Sequence, residues 1–587
     1  MDNQRNLLLA VALSGLLILG WDMAMRYFYP QASLSRHPSA TATATPAAAP
    51  SQAAIPGNAI GATPPSGAAA VDLARALASP ERVKIDAPRV EGTINLVGAR
   101  IDDIELKDHR DTVKKDSRPV QLFSPDGTPG QYFAEFGFLA NGQRLPENAV
   151  WQASGGSLTP SSPLTLTRQG QDGLTYTIKL SIDDQYMIEA VQTVANRGTN
   201  AAVVQPFALI KRTSKNASPS TFNAHSGPMG AFGETVEYGP DYHDLAETGS
   251  HTPEGGAPDW FGFTDTYWLA ALIPGDQQDA TAGFRSLGSD LFRADLIYAP
   301  QTLAPGTQIS RTTRLFAGAK ESVVLGQYQD GGIENFEKAI DWGWFEWFVK
   351  PMVWLLRTLY EFAGNFGVAI ILLTVIIRGL MFPIAQRQFA SMAAMKAVQP
   401  KMKAIQERYK DDKQKQQQEI MKLYQEEKVN PLAGCLPILI QIPIFFALYK
   451  ALILAIEMRH KPFYLWIEDL SAPDPAKILN LFGLLPFDPP GFLGIGVLAL
   501  LLGITMWLTF RLNPTAMDPV QQQVFAFMPW ILMFVMAPFA AGLLLYWVTS
   551  NILTLAQQSY LYSKHPQLRA AAEKQKADQA LAEKRKG

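Results

Sequence analysis

An arginine lies in the middle of one of the most apolar stretches of this chain of 587 residues. Arg378 occurs in the run 367–385 (GVAIILLTVIIRGLMFPIA), which is about long enough to cross a bilayer as a helix. At a rise of about 1.5 Å per residue, it lies roughly 16 Å from the start of the run. A guanidinium at that depth costs on the order of 2.5–3.5 kcal/mol and cannot lose its proton. The sequence therefore predicts that Arg378 faces water or a partner, and the alternative is that it reaches the cytoplasmic headgroups.

Other polar side chains interrupt the apolar runs in the same region. Thr374 precedes Arg378 by one helical turn, Gln441 lies in LPILIQIPIFFALY, and Asn551 follows Tyr546 and Trp547 in LLLYWVTSNILTL. Because polar groups are costly against lipid, we expect them to point inward and to line a hydrated groove with Arg378. The alternative is that they form interhelical hydrogen bonds that hold the helices together. The apolar runs contain no Ser/His or Cys/His dyad, so we predict no catalytic residue and a protein that is not an enzyme.

The distribution of apolar and basic residues predicts a mixed fold, in which a polytopic α-helical membrane protein carries a large antiparallel β-sandwich. The net charge of −2 does not suggest a nucleic-acid partner, and the single cysteine, Cys435, cannot form an intrachain disulfide. Six transmembrane helices are expected, at 7–21, 367–385, 436–456, 491–510, 524–540 and 542–562.

Lys and Arg are concentrated in residues 386–431 and in the tail after residue 562, and they are sparse in 459–490. The basic segments therefore belong in the cytoplasm, together with both termini, and residues 22–366 are exported. We interpret the first apolar segment as an uncleaved anchor rather than a cleaved signal peptide, because the small-residue stretch after it starts too far away for a cleavage site.

The exported part begins with a stretch rich in Ala, Pro, Ser and Thr, which predicts a flexible tether, and continues with short β-rich runs separated by Asp-Gly and Asn-Gly turns. These runs predict the sandwich. Within them, His225, His243 and His251 lie near Asp241 and Asp244, but the spacing fits no ligand pattern, so we expect ordinary loops and no metal. A group of aromatic residues offers either a sugar-binding face or, as we expect, core packing; it consists of Trp260, Phe261, Phe263, Tyr267 and Trp268.

The segment 341–362 (DWGWFEWFVKPMVWLLRTLYEF) joins the exported part to the apolar region. Its charged residues fall on one narrow face of a helix, and the rest is apolar, which predicts a helix lying in the membrane interface with its indoles at headgroup depth. A linker helix packed on the sandwich is the alternative, and Pro351 is expected to kink the helix or to start a second one. The residues assigned to this interfacial helix are Trp342, Trp344, Trp347, Lys350, Trp354 and Arg357.

Residues 386–431 carry apolar residues at helical spacing on both sides of a turn at 410–413, which predicts two antiparallel helices projecting into the cytoplasm. Pro400 should bend the first helix. A Met-rich face adapts to varied partners, and the basic surface suits anionic lipid or ribosomal RNA, although a solvated face with no partner is equally compatible. The residues assigned to recruitment are Met392, Met395, Met402, Lys401, Lys403 and Arg408.

The sequence thus divides into thirteen segments. They are the anchor 1–30, the linker 31–80, the β-sandwich 81–332, the interfacial helix 333–366, the second span 367–385, the hairpin 386–431, the third span 432–458, the periplasmic loop 459–490, the fourth span 491–510, the cytoplasmic loop 511–523, the fifth span 524–540, the sixth span 541–562 and the basic tail 563–587.

Several of these motifs together resemble the YidC/Oxa1/Alb3 family of membrane insertases in its Gram-negative form. The resemblance covers essentially the whole chain, and it departs from the family pattern at 479–491, where the loop looks longer. The motifs are MDNQRNLLL at the amino terminus, TVIIRGLMFPI around Arg378, KVNPL, the run NPLAGCLPILIQIPIFFALYKAL at 430–452, DPVQQQ at 518–523 and LYWVTSN at 545–551.

The resemblance implies a membrane protein insertase and chaperone of the inner membrane, whose five core helices enclose a hydrophilic groove containing Arg378 and Thr374. It implies contact with clients through Tyr546, whereas Trp547 stands where a second tyrosine is commoner. The implied partners are nascent membrane proteins, the Sec translocon, the bilayer, and the ribosome through the hairpin and basic tail, with no nucleotide or other cofactor. Two other functions stay open from the residues: a secondary transporter of a small anion that binds Arg378, and an anchored carbohydrate-modifying enzyme.

Overall fold

The computed structural model describes residues 71–114, 116–170, 173–218, 224–275, 280–410, 412–427, 436–482, 485, 487, 494–512 and 519–564, and in parts of several helices only their backbone. The predicted anchor, residues 31–70 of the tether, Cys435 and residues 565–587 of the basic tail lie outside the described residues, as do the side chains of Met392, Met395 and Lys403. The described end of the tether is not uniformly flexible as predicted, because residues 73–77 form a short helix.

Twenty strands form the amino-terminal half of the described chain. They are β1 (Arg82–Asp86), β2 (Val90–Asn95), β3 (Arg100–Arg110), β4 (Pro119–Phe123), β5 (Tyr132–Ala140), β6 (Gln143–Arg144), β7 (Gln152–Ser154), β8 (Leu164–Gln169), β9 (Leu174–Ile182), β10 (Met187–Asn196), β11 (Ala202–Thr213), β12 (Gly227–Phe232), β13 (Thr235–Tyr238), β14 (Ser250–His251), β15 (Pro258–Thr264), β16 (Trp268–Pro274), β17 (Ala280–Gly288), β18 (Leu291–Tyr298), β19 (Gln301–Leu303) and β20 (Gln308–Ala319).

These strands build the predicted antiparallel β-sandwich. One sheet has the order β1-β2-β3-β5-β11-β18-β17-β14 with β4, β6 and β19 at its sides, and the other has the order β13-β12-β15-β16-β20-β10-β9-β8-β7. Side chains from the two sheets meet in a common core, where the rings of Phe138 on β5 and Tyr176 on β9 lie 5.1 Å apart. Gln192 on β10 donates across the core to the carbonyls of Gly137 and Phe207, at 2.8 and 3.0 Å, so a buried amide also ties the sheets together.

Eleven α-helices complete the described fold. They are α1 (Leu73–Leu77), α2 (Tyr242–Thr248), α3 (Ser322–Asp330), α4 (Glu346–Ala363), α5 (Phe366–Leu380), α6 (Phe382–Arg408), α7 (Lys413–Glu426), α8 (Leu436–Leu454), α9 (Val497–Leu512), α10 (Pro519–Met536) and α11 (Ala541–Lys564). Short 3-10 turns occur at Phe336–Ala339 and Ile456–Met458.

The helices differ from the sequence expectations at two prolines. The run 367–385 is not one helix: α5 ends at Leu380, and α6 begins at Phe382 with Pro383 in its first turn. Proline has no N–H to donate to the preceding turn, which explains the break between the two helices. Pro351 lies inside the continuous helix α4, so no second helix starts there. No helix in the described ranges combines the length and the apolar character needed to cross a membrane, and the expected six transmembrane helices are therefore not confirmed.

Candidate functional site

The helix that carries Arg378 is fixed at its amino-terminal end. Asn365 precedes α5, and its side-chain oxygen accepts hydrogen bonds from the backbone N–H groups of Gly367 and Val368 at 2.9 and 3.2 Å. This cap satisfies donors that a helix start leaves without a partner. Arg378 then falls in the last turn of α5, three turns from the cap, and its side chain is half-buried.

Arg378 is bound to helix α11 through Ser550. The Nε atom of Arg378 donates to the Ser550 hydroxyl at 3.0 Å, and a terminal guanidinium nitrogen donates to the same oxygen. Ser550 is buried, and among the described residues no carboxylate forms an ion pair with Arg378. Ser550 was not identified from the sequence, although its position four residues after Tyr546 places both side chains on one face of a helix.

Thr374 and Arg378 lie on neighbouring turns of α5, but no hydrogen bond joins them. Thr374 is buried, and its hydroxyl donates to the carbonyl of Ile370 at 2.6 Å, within its own helix. This local bond satisfies the only donor of the side chain and leaves lone pairs of the oxygen to accept from another group.

Tyr546 and Gln441 meet between α11 and α8. The amide of Gln441 donates to the Tyr546 hydroxyl at 2.6 Å, and Tyr546 lies within electrostatic range of Arg378. The indole of Trp547 packs against Phe445 with ring centres 5.1 Å apart. The structure therefore brings Arg378, Ser550, Tyr546 and Gln441 together as one polar cluster on three helices, which we call the groove cluster.

Asn551 points to a different neighbour. Its amide donates at 3.1 Å to the hydroxyl of Thr505 on α9, and Thr505 donates in turn to the carbonyl of Leu501 at 2.7 Å. Both side chains are buried. This contact is an interhelical hydrogen bond that joins α9 and α11, as the alternative interpretation of the polar residues expected. Thr505 was not identified from the sequence.

The polar face of α11 continues beyond Ser550. Thr554, Gln557 and Gln558 follow it at spacings of four, seven and eight residues, which keeps all of them on one side of the helix. Thr554 donates to the carbonyl of Ser550 at 2.7 Å. The Nε2 atom of Gln557 and the Oε1 atom of Gln558 are buried without a hydrogen-bond partner among the described residues. Buried polar atoms of this kind are costly unless water or a bound molecule satisfies them.

Helix α4 has a buried apolar face, an exposed face with tryptophans and a charged face, as an interfacial helix needs. Val349, Met352 and Leu356 are buried, whereas Trp347 and Trp354 are 70% and 67% exposed. On the charged face, Lys350 pairs with Glu346 at 2.6 Å and with Glu337 at 2.8 Å, and Arg357 pairs with Glu361 at 3.4 Å. Trp344 precedes the helix and is also exposed, but Trp342 is buried and so differs from the other assigned tryptophans.

Helix α4 packs mainly on the helices that follow it. Tyr360 stacks on Phe366 at the start of α5 with ring centres 3.8 Å apart, and α4 also contacts α8. A linker helix packed on the sandwich alone would not make these contacts.

The two helices of the hairpin, α6 and α7, pack through a small apolar cluster. Val398 and Leu423 are buried, Met402 and Ile405 pack against them, and the hydroxyl of Tyr424 lies 3.2 Å from the sulfur of Met402. Met402 therefore contributes to packing within the hairpin. Lys401 is exposed and pairs with Glu427, and Arg408 is exposed beside the ring of Tyr409. The assignment of the hairpin to recruitment stays a prediction.

The sandwich and the helices are joined by charged residues at the end of α8. Arg459 donates to the carbonyls of Arg110 and Asp111 at 2.8 and 3.3 Å, and its guanidinium lies 5.7 and 5.3 Å from the ring centres of Tyr267 and Trp268. Tyr267 and Trp268 are partly buried against the core, and they also hold a cation at the junction. Trp260, Phe261 and Phe263 are fully buried, as the prediction of core packing requires.

Two more contacts cross this junction. Glu457 accepts from the hydroxyl and the N–H of Ser322, at 2.9 and 3.3 Å. Lys450, which is almost completely buried, donates to the carbonyl of Asp341 at 2.9 Å.

The three histidines that the sequence groups together lie in different parts of the sandwich. His243 lies in α2 and His251 in β14, so the expectation that both lie in ordinary loops is wrong, whereas His225 lies outside the strands and helices. No group of residues able to hold a metal ion occurs in the described ranges of the chain.

Two buried cations of the sandwich have different partners, a carboxylate for Arg212 and a hydroxyl for Lys320. Arg212 donates to Asp265 at 3.0 Å, and Lys320 donates to the hydroxyl of Thr264 at 2.9 Å. Burial lowers the pKa of Lys320 to about 8, although Asp265 and Asp341 act in the opposite direction.

Comparisons with known proteins cover both halves of the chain. The model of the YidC periplasmic domain matches residues 82–355, and the model of the 60Kd inner membrane protein family matches residues 358–568. The membrane protein insertases YidC of Beijerinckia indica and Zymomonas mobilis are each 42% identical to this chain, with 96% of both chains covered.

Two solved structures are similar at low TM-scores. One is an active YidC insertase crystal structure with the first transmembrane domain resolved, with a TM-score of 0.35 and 18% identity over 81% of this chain and 92% of that chain. The other is a galactose mutarotase related enzyme from Lactobacillus acidophilus, with a TM-score of 0.28 and 8% identity over 40% of this chain and 97% of that chain.

The family resemblance seen in the sequence motifs is thus confirmed. The relatives are named as insertases, which are not enzymes, and they give no support to a transporter or a carbohydrate-modifying enzyme. The chain belongs to the YidC family of membrane protein insertases.

Proposed function

We propose that this protein is an insertase and chaperone of a Gram-negative inner membrane, which accepts hydrophobic segments of nascent membrane proteins at the groove cluster and releases them sideways into lipid. The observation that carries the proposal is the environment of Arg378. Its guanidinium lies in an otherwise apolar helix and is bonded to a hydroxyl, with no carboxylate partner among the described residues. Its charge is therefore available to water or to a client.

The groove cluster lowers the barrier for a hydrophilic stretch of the client. Arg378, Ser550 and Tyr546 offer charge and hydrogen bonds within the apolar helices, and Gln557 and Gln558 present unsatisfied polar atoms on the same face of α11. Water held at these groups would reduce the thickness of the water-free hydrocarbon layer that the client has to cross. The polar groups of the client would then lose less hydration. An acidic stretch would also be attracted transiently to Arg378.

Release into lipid follows from the apolar outer surface of the helices. Val375, Ile376 and Leu380 on α5 are exposed. On α10, Ile531 and Phe534 are exposed in the same way. A client helix that leaves the groove cluster gains about 0.8 kcal/mol for each CH₂ group that it buries in lipid, so partitioning alone can drive the last step.

The wider organisation proposed for the protein follows the sequence. Six transmembrane helices, of which five form the core, place both termini in the cytoplasm and the sandwich in the periplasm. The hairpin residues Lys401 and Arg408 and the basic tail suit contact with the ribosome, and the protein works alone or with the Sec translocon.

Photocrosslinking during translation tests the proposal. A crosslinking amino acid at Trp547 or Thr554, which are half-buried beside the groove cluster, should capture a stalled client chain, and release of the chain with puromycin should abolish the product. The matched control is Ile531, which is exposed on α10 and should react with lipid. Client crosslinks that are equally frequent at all three positions, or absent from 547 and 554, would contradict the groove assignment.

A further inference from the structure

The segment between α8 and α9 exposes large apolar side chains at two places. The first tip consists of Tyr464 and Leu465, which are 60% and 88% exposed. The second tip consists of Leu479, Leu481, Phe482, Leu485 and Phe487, each between 40% and 60% exposed. Soluble surfaces rarely present so many large apolar residues together, so these tips indicate a partner.

The tips are parts of an ordered turn structure. The N–H of Phe463 donates to the carbonyl of Ile467 across the first tip, and the N–H of Phe482 donates to the carbonyl of Lys477 in the second, both at 2.9 Å. Leu465 and Phe482 have left-handed backbones, with φ of 66° and 62°. Residues other than glycine adopt this backbone conformation at a cost in free energy, and the strain is retained where the surrounding structure fixes the backbone. The exposure of these apolar residues is therefore imposed by the fold.

Two carboxylates of the segment, Asp474 and Asp469, hold the tips in place through hydrogen bonds. Asp474 is 2% exposed and accepts hydrogen bonds from the indole of Trp466, the N–H of Ala476 and the N–H of Leu498, at 3.0, 2.9 and 2.8 Å. It thus ties the residues after the first tip to the start of α9. Asp469 is half-buried and accepts from the backbone N–H groups of His460 and Ser471, at 3.2 and 2.8 Å.

The first tip lies beside the carboxyl-terminal end of α4. The ring of Phe463 covers Gly367 so closely that a Cβ at this glycine would lie 2.0 Å from it, and the amide of Asn365 donates to the carbonyl of Pro462 at 3.2 Å. Gly364 and Asn365 connect α4 to α5, and Phe362, at the end of α4, is 85% exposed. The first tip therefore continues the exposed aromatic face of the interfacial helix.

We infer that both tips insert into the periplasmic leaflet of the bilayer, with a phospholipid surface as their partner. The inference rests on the proposed function, because it requires the helices around the segment to lie in a membrane. Tyrosine and phenylalanine at the tips suit the headgroup boundary, and leucine suits the upper part of the acyl chains. Continuity with α4 places the first tip at the depth of the α4 tryptophans, and the exposed leucines and phenylalanines of the second tip assign it to the same leaflet.

Site-directed spin labelling measures this depth directly. Because the chain has one cysteine, Cys435→Ser provides a background for single labels at Leu465 and Phe482. Reference labels at Ile531, exposed on α10, and at Gln152, exposed on the sandwich, define the lipid and water limits. The full chain is reconstituted in vesicles of phosphatidylethanolamine and phosphatidylglycerol, and collision with O₂ is compared with collision with a water-soluble nickel chelate.

Labels at 465 and 482 should collide with O₂ more than with the nickel chelate, with an O₂-to-nickel ratio several-fold above that of position 152 and below that of position 531. A ratio equal to that of position 152, while position 531 reports lipid, would overturn the inference and leave the proposed function intact. Protection of both tips from both agents would also overturn it, since it would indicate a protein contact. A water-like ratio at position 531 would instead overturn the proposed function.

Discussion

Replacing Arg378 by alanine should separate stability from function. The substitution removes two hydrogen bonds from the guanidinium that share the Ser550 hydroxyl oxygen as their acceptor. Because they share it, we count them together as one bond to a charged group, which stabilises the fold by about 1.5–3 kcal/mol. The substitution also removes a cation whose place in a membrane helix costs on the order of 2.5–3.5 kcal/mol. The two effects nearly cancel, and the Ser550 hydroxyl can turn to the carbonyl four residues before it. The Arg378→Ala protein should therefore unfold at nearly the temperature of the native protein.

The functional effect should depend on the charge of the client. At a separation of about 6 Å, a carboxylate and a guanidinium attract each other by about 0.7 kcal/mol in water and about 2.8 kcal/mol at an effective dielectric constant of about 20. In the native protein, a client with an acidic translocated tail should insert more efficiently than the same client with Asp replaced by Asn. In Arg378→Ala, this ratio of insertion efficiencies should therefore fall by about 3- to 100-fold. Protease protection of the two clients after insertion into proteoliposomes measures this ratio.

Arg378→Lys is the matched control, because it keeps the charge and loses the planar pattern of donors. It should preserve most of the preference for the acidic tail. Equal loss of insertion for both clients in Arg378→Ala would refute the electrostatic account. Loss of insertion accompanied by a large fall in unfolding temperature would show that Arg378 serves the packing of α5 against α11.

Three other substitutions or deletions test separate parts of the structure. In the native protein, the unfolding free energy should rise by roughly 3 kcal/mol at most between pH 8 and 10.5, because Lys320 is protonated in the unfolded chain but largely neutral in the folded protein over this range. Lys320→Met should abolish this rise, and urea unfolding followed by tryptophan fluorescence measures the unfolding free energy at each pH. Asp474→Ala leaves three donors, two of them buried, without their acceptor and should lower the unfolding free energy by about 3 kcal/mol, visible as a fall of several degrees in unfolding temperature. Deleting residues 82–320 while retaining α4 should leave client insertion in proteoliposomes close to native, because the groove cluster makes its hydrogen bonds among α5, α8 and α11; complete loss would place the sandwich in the mechanism.

The sandwich could be predicted because its signals are local. Alternating apolar residues and turn dipeptides do not depend on distant parts of the chain, and the Asn141-Gly142 turn has the two left-handed residues that join β5 and β6, with φ of 49° and 77°. The end of α5 was missed for a different reason. The apolar run masks the break, although Pro383 was visible in the sequence and limits how far the helix continues.

The candidate site was predicted only in part, because its members differ in how conspicuous they are. Arg378 is found from the cost of its charge alone. Ser550 and Thr505 are not, because a hydroxyl can bond to its own helix and is inexpensive in an apolar segment. The contact of Arg459 with Tyr267 and Trp268 joins residues far apart in sequence, and no local pattern indicates it. Likewise, only packing distinguishes the buried Trp342 from the exposed Trp344.

The partners of four cations distinguish structural roles from the proposed functional one. Arg212 is paired with Asp265, Lys450 donates to the carbonyl of Asp341, and Arg459 donates to two carbonyls between aromatic rings. These three charges are compensated by groups that the fold supplies, so removing any one of them leaves an acceptor without its donor and loosens the junction or the sandwich. Arg378 is held by a neutral hydroxyl, which orients the guanidinium but does not offset its charge. A cation that is bonded only to a neutral hydroxyl adds little to the stability of the fold. Its charge can still attract water or an acidic group of a client.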